Sequence, residues 1–193
     1  MVRKASPDDR SGVVANVVAA FAKDPAWAFL LGEEYERLAP EFAGALFDLR
    51  VATETVWVSD DLAAVAMWDP PDKGDAVPGY ATGVWGSYRA SAGEQAFERL
   101  SRYNNALEEA APAASDYWYL GVLATHPQRQ REGLASAVLE PMLREADRLR
   151  LACCLETSTV GNRRFYEHRG FTEATDVVVP GGPQTWWLRR AAM

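Results

Sequence analysis

The residues whose spacing could support chemistry begin in a short polar loop, Gln130–Ser136, between two apolar segments. Residues 117–124 are almost wholly apolar, as in a strand covered on both faces. Over 133–149 the apolar positions recur at helical spacing. A helix that begins here would present unpaired backbone N–H groups, and Gly133 and Ala135 leave room for a phosphate. The loop predicts an anion site, with an ordinary junction that binds nothing as the alternative.

The charge distribution narrows the class of anion. The chain carries a net charge of −7, which argues against general binding to nucleic acids or membrane surfaces. Between His126 and Gly170, however, eight arginines face six acidic residues, so this segment is +2 and the remainder is −9. A locally basic segment suits a small polyanion, although solvated helix faces explain it equally well. The loop lacks both the Gly-Lys-Ser/Thr ending of a P-loop and the three glycines of a dinucleotide fingerprint.

Length and composition predict one domain covering residues 1–193. With 48% hydrophobic residues and seven each of Trp, Tyr and Phe, the chain can fill a substantial core. The adjacent Cys153 and Cys154 should face opposite sides of a strand, as small buried side chains rather than as a disulfide or a metal site. The N-terminus has no apolar signal core and no segment approaches a membrane span. We therefore expect a cytoplasmic protein without metal, nucleic-acid or membrane partners.

The order of the predicted elements indicates an α/β fold with a mixed sheet of about six or seven strands flanked by helices. Strand, helix and strand over 117–156 form a parallel βαβ unit. The other predictions, in chain order, are a strand at 2–5, a helix from Ser6 to Asp24, an apolar link at 26–32, a helix at 34–51, a hairpin at 55–68, a loop or short helical turn at 72–91, a helix at 92–111, a short helix at 161–168 and a terminal hairpin at 177–188.

Two local motifs resemble the GNAT superfamily of acyl-CoA-dependent N-acyltransferases. The first is Gln-Arg-Glu-Gly-Leu-Ala at 130–135, which matches the family's Gln/Arg-x-x-Gly-x-Gly/Ala pyrophosphate loop after its strand. The second is Asn-Arg-Arg-Phe-Tyr-Glu-His-Arg-Gly-Phe at 162–171, which follows Leu-Glu-Thr-Ser at 155–158 and is similar to the family's Asn-x-x-Phe-Tyr-x-x-x-Gly-Phe helix. The resemblance implies a GNAT-type sheet whose coenzyme A cleft lies between two splayed parallel strands. Arg131 and Glu132 depart from the Gly-Lys usual in this loop.

The resemblance also implies a binding site for acetyl-CoA as co-substrate. The pantetheine amides would pair with the strand backbone at Leu123, Ala124 and Thr125. The remaining implied contacts are those of the pyrophosphate with the loop and of the cofactor with the second motif, at Gln130, Arg131, Gly133, Leu134, Ala135, Ser136 and Asn162. Asn162 could instead serve only as the N-cap of its short helix. Glu132 is expected to point away from the phosphates into solvent.

Acyl transfer to an amine needs a proton acceptor and a proton donor. An amine with a pKa near 10 is mostly protonated at pH 7, so a base must remove a proton before attack. Glu156, at the end of its strand, is the candidate, with a structural hydrogen-bonding role as the alternative. Tyr166 matches the family's tyrosine acid, which protonates the departing thiolate, although a tyrosine there could also be a packed helix residue.

The implied activity is direct acetyl transfer to a small-molecule amine, puromycin-like or other, by a monomer or homodimer. A non-catalytic GNAT-like module that binds acyl-CoA or another ligand is the alternative, and Glu132 beside the phosphate site is its main support. Several aromatic residues could line the acceptor pocket or belong to the core, namely Trp27, Phe29, Tyr35, Tyr80, Trp85, Tyr88 and Tyr103. An acidic, aromatic cleft would suit a cationic or aromatic amine.

Overall fold

The computed structural model describes residues 1–71, 80–111 and 116–193, without the side chains of 80–82. Its strands are β1 Val2–Lys4, β2 Val56–Ser59, β3 Ala64–Asp69, β4 Tyr117–Thr125, β5 Ala152–Thr157, β6 Glu173–Val177 and β7 Thr185–Arg190. Its α-helices are α1 Arg10–Phe21, α2 Pro25–Leu31, α3 Tyr35–Val51, α4 Tyr80–Ala92, α5 Glu94–Ala110, α6 Leu134–Leu149 and α7 Val160–Glu167. Short 3₁₀ turns occupy Pro7–Asp9, Gly32–Glu34 and Pro127–Arg129.

The strands form one mixed seven-stranded sheet in the order β1-β2-β3-β4-β5-β7-β6. All neighbouring strands are antiparallel except β4 and β5, which are parallel, as the predicted βαβ unit requires. Parallel pairing extends only from Tyr117 opposite Ala152 to Leu120 opposite Leu155, whereas β4 continues to Thr125. The predicted α/β fold with its two splayed parallel strands is therefore confirmed.

Helices cover both faces of the sheet. In one apolar cluster, the five helices from α1 through α5 pack on one face of the sheet, against side chains such as Val65, Met67 and Val122. The other cluster joins α6 and α7 to the opposite face, through Leu139, Phe171 and their neighbours. Cys153 and Cys154 lie in different clusters, buried and unbridged, as their adjacency predicts.

Two predicted elements are wrong in kind. The apolar link at 26–32 is the helix α2, because Asp24 caps it and Pro25 takes its first position. Trp27, Leu30 and Leu31 of this helix are buried, which accounts for its apolar composition. The segment assigned to a loop or short turn contains the helix α4 from Tyr80 onwards, and residues 72–79 lie outside the described residues.

Two further comparisons with expectation concern membranes and metals. Within residues 1–71, 80–111 and 116–193, no single helix is both long and apolar enough to cross a membrane; the helical segments Pro7–Phe21 and Pro25–Val51 meet the criteria only together, across a bend of 106°. Over the same ranges, no group of three or more His, Cys, Asp or Glu side chains is arranged to hold a metal ion.

Candidate active site

A bulge in β4 opens the gap between the parallel strands. Against β3 the register shifts, because Met67 pairs with Val122 while Trp68 pairs with Leu120, and this leaves Gly121 as the additional residue. A bulge bends its strand and increases the local twist, and the pairing of β4 with β5 ends at the same position. A cavity of about 530 Å³ occupies this gap and extends under α2, α3 and α5.

Arg50, from the last turn of α3, fills the space that Gly121 leaves. Its side chain is 8% exposed and lines the cavity. The guanidinium donates to the Asp69 carboxylate at 2.7 Å and to the Leu46 carbonyl at 3.1 Å, while its Nε, among the described residues, has no partner. A methyl group on Gly121 would lie 2.4 Å from the Arg50 Nη2 atom, so the glycine is required for this packing.

We expect Gly121→Ala to destabilise the protein by about 2 kcal/mol, in the range of an overpacked core, because the buried guanidinium has to leave its two acceptors. Denaturant unfolding measures the effect. Gly83→Ala in α4 is the matched control, since a methyl group there meets no atom of the described residues within 4 Å. Equal stability of the two variants would show that the bulge does not depend on the Arg50 packing.

Glu156 lies near the end of β5 and lines the cavity, one residue beyond the last pair between β4 and β5. The Tyr119 hydroxyl donates a short hydrogen bond to its Oε2 atom. Burial raises the pKa of Glu156 to about 7, although the bond from Tyr119 and the charge of Arg50 act in the opposite direction. A carboxyl group that titrates near neutrality can accept a proton from a substrate and release it again. The geometry is compatible with the predicted base; its hydrogen bond to Tyr119 is also structural.

Tyr166 enters the same cavity from α7. The residue is 7% exposed, and its ring makes edge contacts with Phe165 and Phe171, at centroid distances of 5.2 and 5.7 Å. Burial raises the pKa of its phenol above the usual value, so the group stays protonated and able to donate. Asn162 also lines the cavity, one helical turn before Tyr166. The alternative role of Asn162 as N-cap is wrong, because Thr159 caps α7 and accepts the Asn162 N–H at 3.2 Å.

The predicted anion loop lies at the start of α6, away from the residues that line the cavity. Gly133 is the N-cap with a φ of +82°, in the left-handed region that glycine favours, and a Cβ there would meet no described atom within 4 Å. Gln130 and Arg131 are exposed. The Ser136 hydroxyl accepts a short bond from Arg169, whose guanidinium stacks 3.5 Å from the Phe165 ring centroid.

Glu132 lies on the exposed side of this loop and forms an ion pair with Arg129 at 2.8 Å. Arg129 also bonds the Asp61 carboxylate, at 2.7 Å. The carboxylate of Glu132 is therefore neutralised by the guanidinium of Arg129. This ion pair weakens the sequence argument that Glu132 disfavours a phosphate, since the charge that seemed out of place is compensated locally.

The backbone stretch 123–125, which is predicted to pair with the pantetheine amides, joins the loop to the cavity. Leu123 lines the cavity, and Ala124 and Thr125 continue β4 towards the loop. Through Thr125 this stretch pairs with β3 on one side only, because β5 has already left on the other. The side-chain amide of Gln130 lies 3.5 Å from the Thr125 carbonyl, and this contact connects the loop to the end of the stretch.

Of the aromatic residues considered for the acceptor pocket, some line the cavity and others belong to the core. Trp27, Trp85 and Tyr103 line the cavity. Tyr35 instead bonds the Val18 carbonyl, Tyr88 packs on Phe42, and Phe29 packs against the core, while the side chain of Tyr80 is not among the described ones. The residues that the sequence reasoning missed are Asp24, Arg50, Asp69, Tyr117, Tyr119 and Trp187. Gly121 within an apolar strand was the available signal for the bulge beside them.

Comparison with known proteins identifies the type of domain. Residues 90–173 match the family model described as "Acetyltransferase (GNAT) domain". This part of the chain is therefore similar to GNAT acetyltransferase domains. An uncharacterized N-acetyltransferase of Schizosaccharomyces pombe is 24% identical over 180 residues, which cover 88% of this chain and 73% of that protein. The match confirms the enzyme class predicted from the sequence, that of the N-acetyltransferases.

Solved structures show the same GNAT fold. A protein of Corynebacterium glutamicum, described as histone acetyltransferase HPA2 and related acetyltransferase, has a TM-score of 0.65 at 22% identity, over 100% of this chain and 97% of that one. A GNAT-family acetyltransferase assigned in Desulfovibrio desulfuricans has a TM-score of 0.59 at 18% identity, over 99% and 98% of the two chains. At these identities the likeness concerns the fold.

Proposed function

We propose that this protein transfers the acetyl group of acetyl-CoA directly to the amine of a small molecule. The observation that supports this most strongly is that Glu156, titrating near 7, and the protonated Tyr166 line one cavity at the gap between β4 and β5. One side chain can therefore remove a proton while another supplies one, in the same enclosed space.

The residues around the gap fit coenzyme A. Beyond Leu120, the β4 edge that faced β5 has no strand partner in the described chain, so its backbone groups are available to amides of the pantetheine arm. At the far end, the N-terminus of the 16-residue helix α6 offers backbone N–H groups and Arg131 to the pyrophosphate. When bound, acetyl-CoA supplies an acetyl group activated as a thioester.

The proton transfers balance as follows. Glu156, as carboxylate, takes a proton from the substrate ammonium, and the neutral amine forms the new C–N bond as the C–S bond breaks. Tyr166 gives its proton to the thiolate, and the nitrogen loses its second proton to the phenolate. The net reaction converts an ammonium and a thioester into an amide, a thiol and one proton, which Glu156 returns to solvent. Tyr119 keeps the Glu156 carboxylate in place through its hydrogen bond.

Puromycin belongs in the substrate panel because of the sequence. Stretches such as 56–68 and 176–186 resemble puromycin N-acetyltransferase, whereas the loop departs from it at Arg131 and Glu132. The cavity volume of about 530 Å³ suits a small molecule and supports an acceptor of that size. A monomer or homodimer in the cytoplasm remains our expectation for the native protein.

Thermal-shift titration followed by a thiol-release assay tests the proposal. We expect CoA and acetyl-CoA to raise the unfolding temperature, and pantetheine, which lacks the pyrophosphate, to raise it less. Acetyl-CoA mixed with an amine panel that includes puromycin should then release free thiol in proportion to acetylated amine. Absence of CoA binding would refute the proposal. Tight CoA binding without turnover on any amine would favour a non-catalytic binding module.

A further inference from the structure

Asp24 is a second carboxylate in the cavity that the chemistry of acyl transfer leaves without a role. It precedes α2, and its Oδ1 atom accepts the backbone N–H groups of Ala26 at 2.9 Å and Trp27 at 3.1 Å. These two bonds fix the carboxylate at the cavity wall. Among the described residues no Lys or Arg forms an ion pair with it.

The other acidic side chains that line the cavity are accounted for. Asp69 is paired with Arg50 at 2.7 Å, Glu108 lies exposed at the rim, and Glu156 bonds Tyr119 and serves as the base. Among the acidic side chains described at the cavity, Asp24 is the one that lies inside with neither an ion-pair partner nor a role in proton transfer. Burial raises the pKa of Asp24, which reflects the cost of that charge without a cation nearby.

Asp24 and the reacting groups share one electrostatic environment. Its charge contributes to the raised pKa values of Glu156 and Tyr166, so the three side chains lie within effective Coulombic range of one another. A cation bound at Asp24 would lie in the same cavity as the proton acceptor. It would relieve the repulsion between the two carboxylates at the same time.

Aromatic rings form two walls of the cavity that contains this carboxylate. On the helical side, Trp27 stacks on Phe21 at 4.7 Å and contacts Phe42 edge-on at 5.1 Å, and Trp85 follows at 6.0 Å from Phe42. On the sheet side, Trp187 makes edge contacts with two tyrosines, at 5.4 and 6.2 Å. All of these side chains line the cavity, together with Tyr103. Aromatic faces attract both cations and other aromatic rings.

We propose that Asp24 binds the ammonium group of the acceptor, and that the acceptor is a primary amine carrying an aromatic ring, which lies between the two aromatic walls. This inference rests on the proposed function and adds the substrate class and its anchoring residue. Acetylation replaces the ammonium by an uncharged amide, which cannot form an ion pair with Asp24. The same residue thereby favours substrate over product.

Binding measured without an acyl donor tests the anchor separately from catalysis. The probes are 2-phenylethylamine, its neutral isostere 2-phenylethanol, and 2-cyclohexylethylamine, titrated by calorimetry at pH 7 into the CoA complex or, if CoA does not bind, into the protein alone. We expect the wild type to bind 2-phenylethylamine about 10- to 100-fold more tightly than 2-phenylethanol, and more tightly than the cyclohexyl amine.

Asp24→Asn should remove most of the preference for the ammonium and leave 2-phenylethanol binding unchanged. Asparagine is as good an N-cap as aspartate, so α2 should persist, and Asp24→Ser provides a second capping residue without a carboxylate. Glu94→Gln, which removes an exposed carboxylate in α5, is the matched control. Trp85→Leu, at a partly exposed position of the helical wall, should reduce the preference for phenyl over cyclohexyl.

Each outcome separates this inference from the proposed function. If the protein acetylates amines but Asp24→Asn and Asp24→Ser retain the preference for the ammonium, the anchoring role is refuted. If phenyl and cyclohexyl amines bind equally, the aromatic substrate class is refuted. If acetyl-CoA supports no turnover while the ammonium preference depends on Asp24, the cavity binds an aromatic amine and the proposed reaction is wrong.

Discussion

Glu156→Gln is expected to lower kcat by about 10²- to 10⁴-fold, the usual contribution of a positioned general base. The amide has nearly the same shape and can still accept the Tyr119 hydroxyl, so the loss should come from proton transfer rather than from a rearranged cavity. Steady-state thiol release at saturating acetyl-CoA and amine measures it. Glu173→Gln, on the exposed strand β6, removes a carboxylate outside the cavity and should leave kcat unchanged.

The pH profile gives this prediction its sharpest form. The base must be ionised to act, and the pKa of Glu156 is raised to about 7, so kcat of the wild type should rise with pH through about 7 and level off above it. In Glu156→Gln that rising limb should disappear. A glutamine variant with an unchanged limb and undiminished turnover would show that another group removes the proton.

The stability of the same variant supplies an independent check on burial. The pKa of Glu156 is about 7 in the folded protein against 4.5 for an unperturbed glutamate, so between these pH values the folded state binds more protons than the unfolded state. The free energy of unfolding of the wild type therefore falls as pH rises through this window, by on the order of 3 kcal/mol. Glu156→Gln lacks this loss and should be the more stable protein at pH 8.

The elements proposed to hold the cofactor were predictable because the patterns that indicate them are local. The loop at 130–136 and the helix after Asn162 are short contiguous patterns, and their order along the chain fixes the βαβ unit that carries them. Glu156 and Tyr166 lie on the second strand of this unit and on the helix after it, so placing those elements places both residues.

The residues proposed to surround the acceptor were not predictable in the same way, because they come from distant segments of the chain. Asp24, Arg50, Tyr119 and Trp187 belong to four separate parts of the chain, and no single pattern joins them. The pair Asp24–Pro25 does signal a helix start, but the seven residues of α2 are too few to show helical periodicity. The reason for a glycine at position 121 is visible only in the structure, where the Arg50 side chain fills the space beside it.

Substitution of Tyr166, the proposed proton donor, should lower turnover and leave the binding of acetyl-CoA intact. Tyr166→Phe is expected to lower kcat by about 10²- to 10³-fold while the binding of acetyl-CoA stays within about twofold of the wild type. The ring contacts with Phe165 and Phe171 survive in phenylalanine, so the helix α7 should keep its place. Thermal unfolding and CoA titration verify that the variant is folded and competent to bind.

A change of leaving group distinguishes a proton donor from a packing residue. Burial keeps the phenol of Tyr166 protonated over the working pH range, so it can donate wherever Glu156 is ionised. An acetyl thioester whose thiol has a lower pKa than that of CoA needs less protonation as it departs. We therefore expect the ratio of wild-type to Tyr166→Phe turnover to shrink with such a donor. A ratio that is the same for both thioesters would assign Tyr166 to packing, and the thiolate would then take its proton from another source.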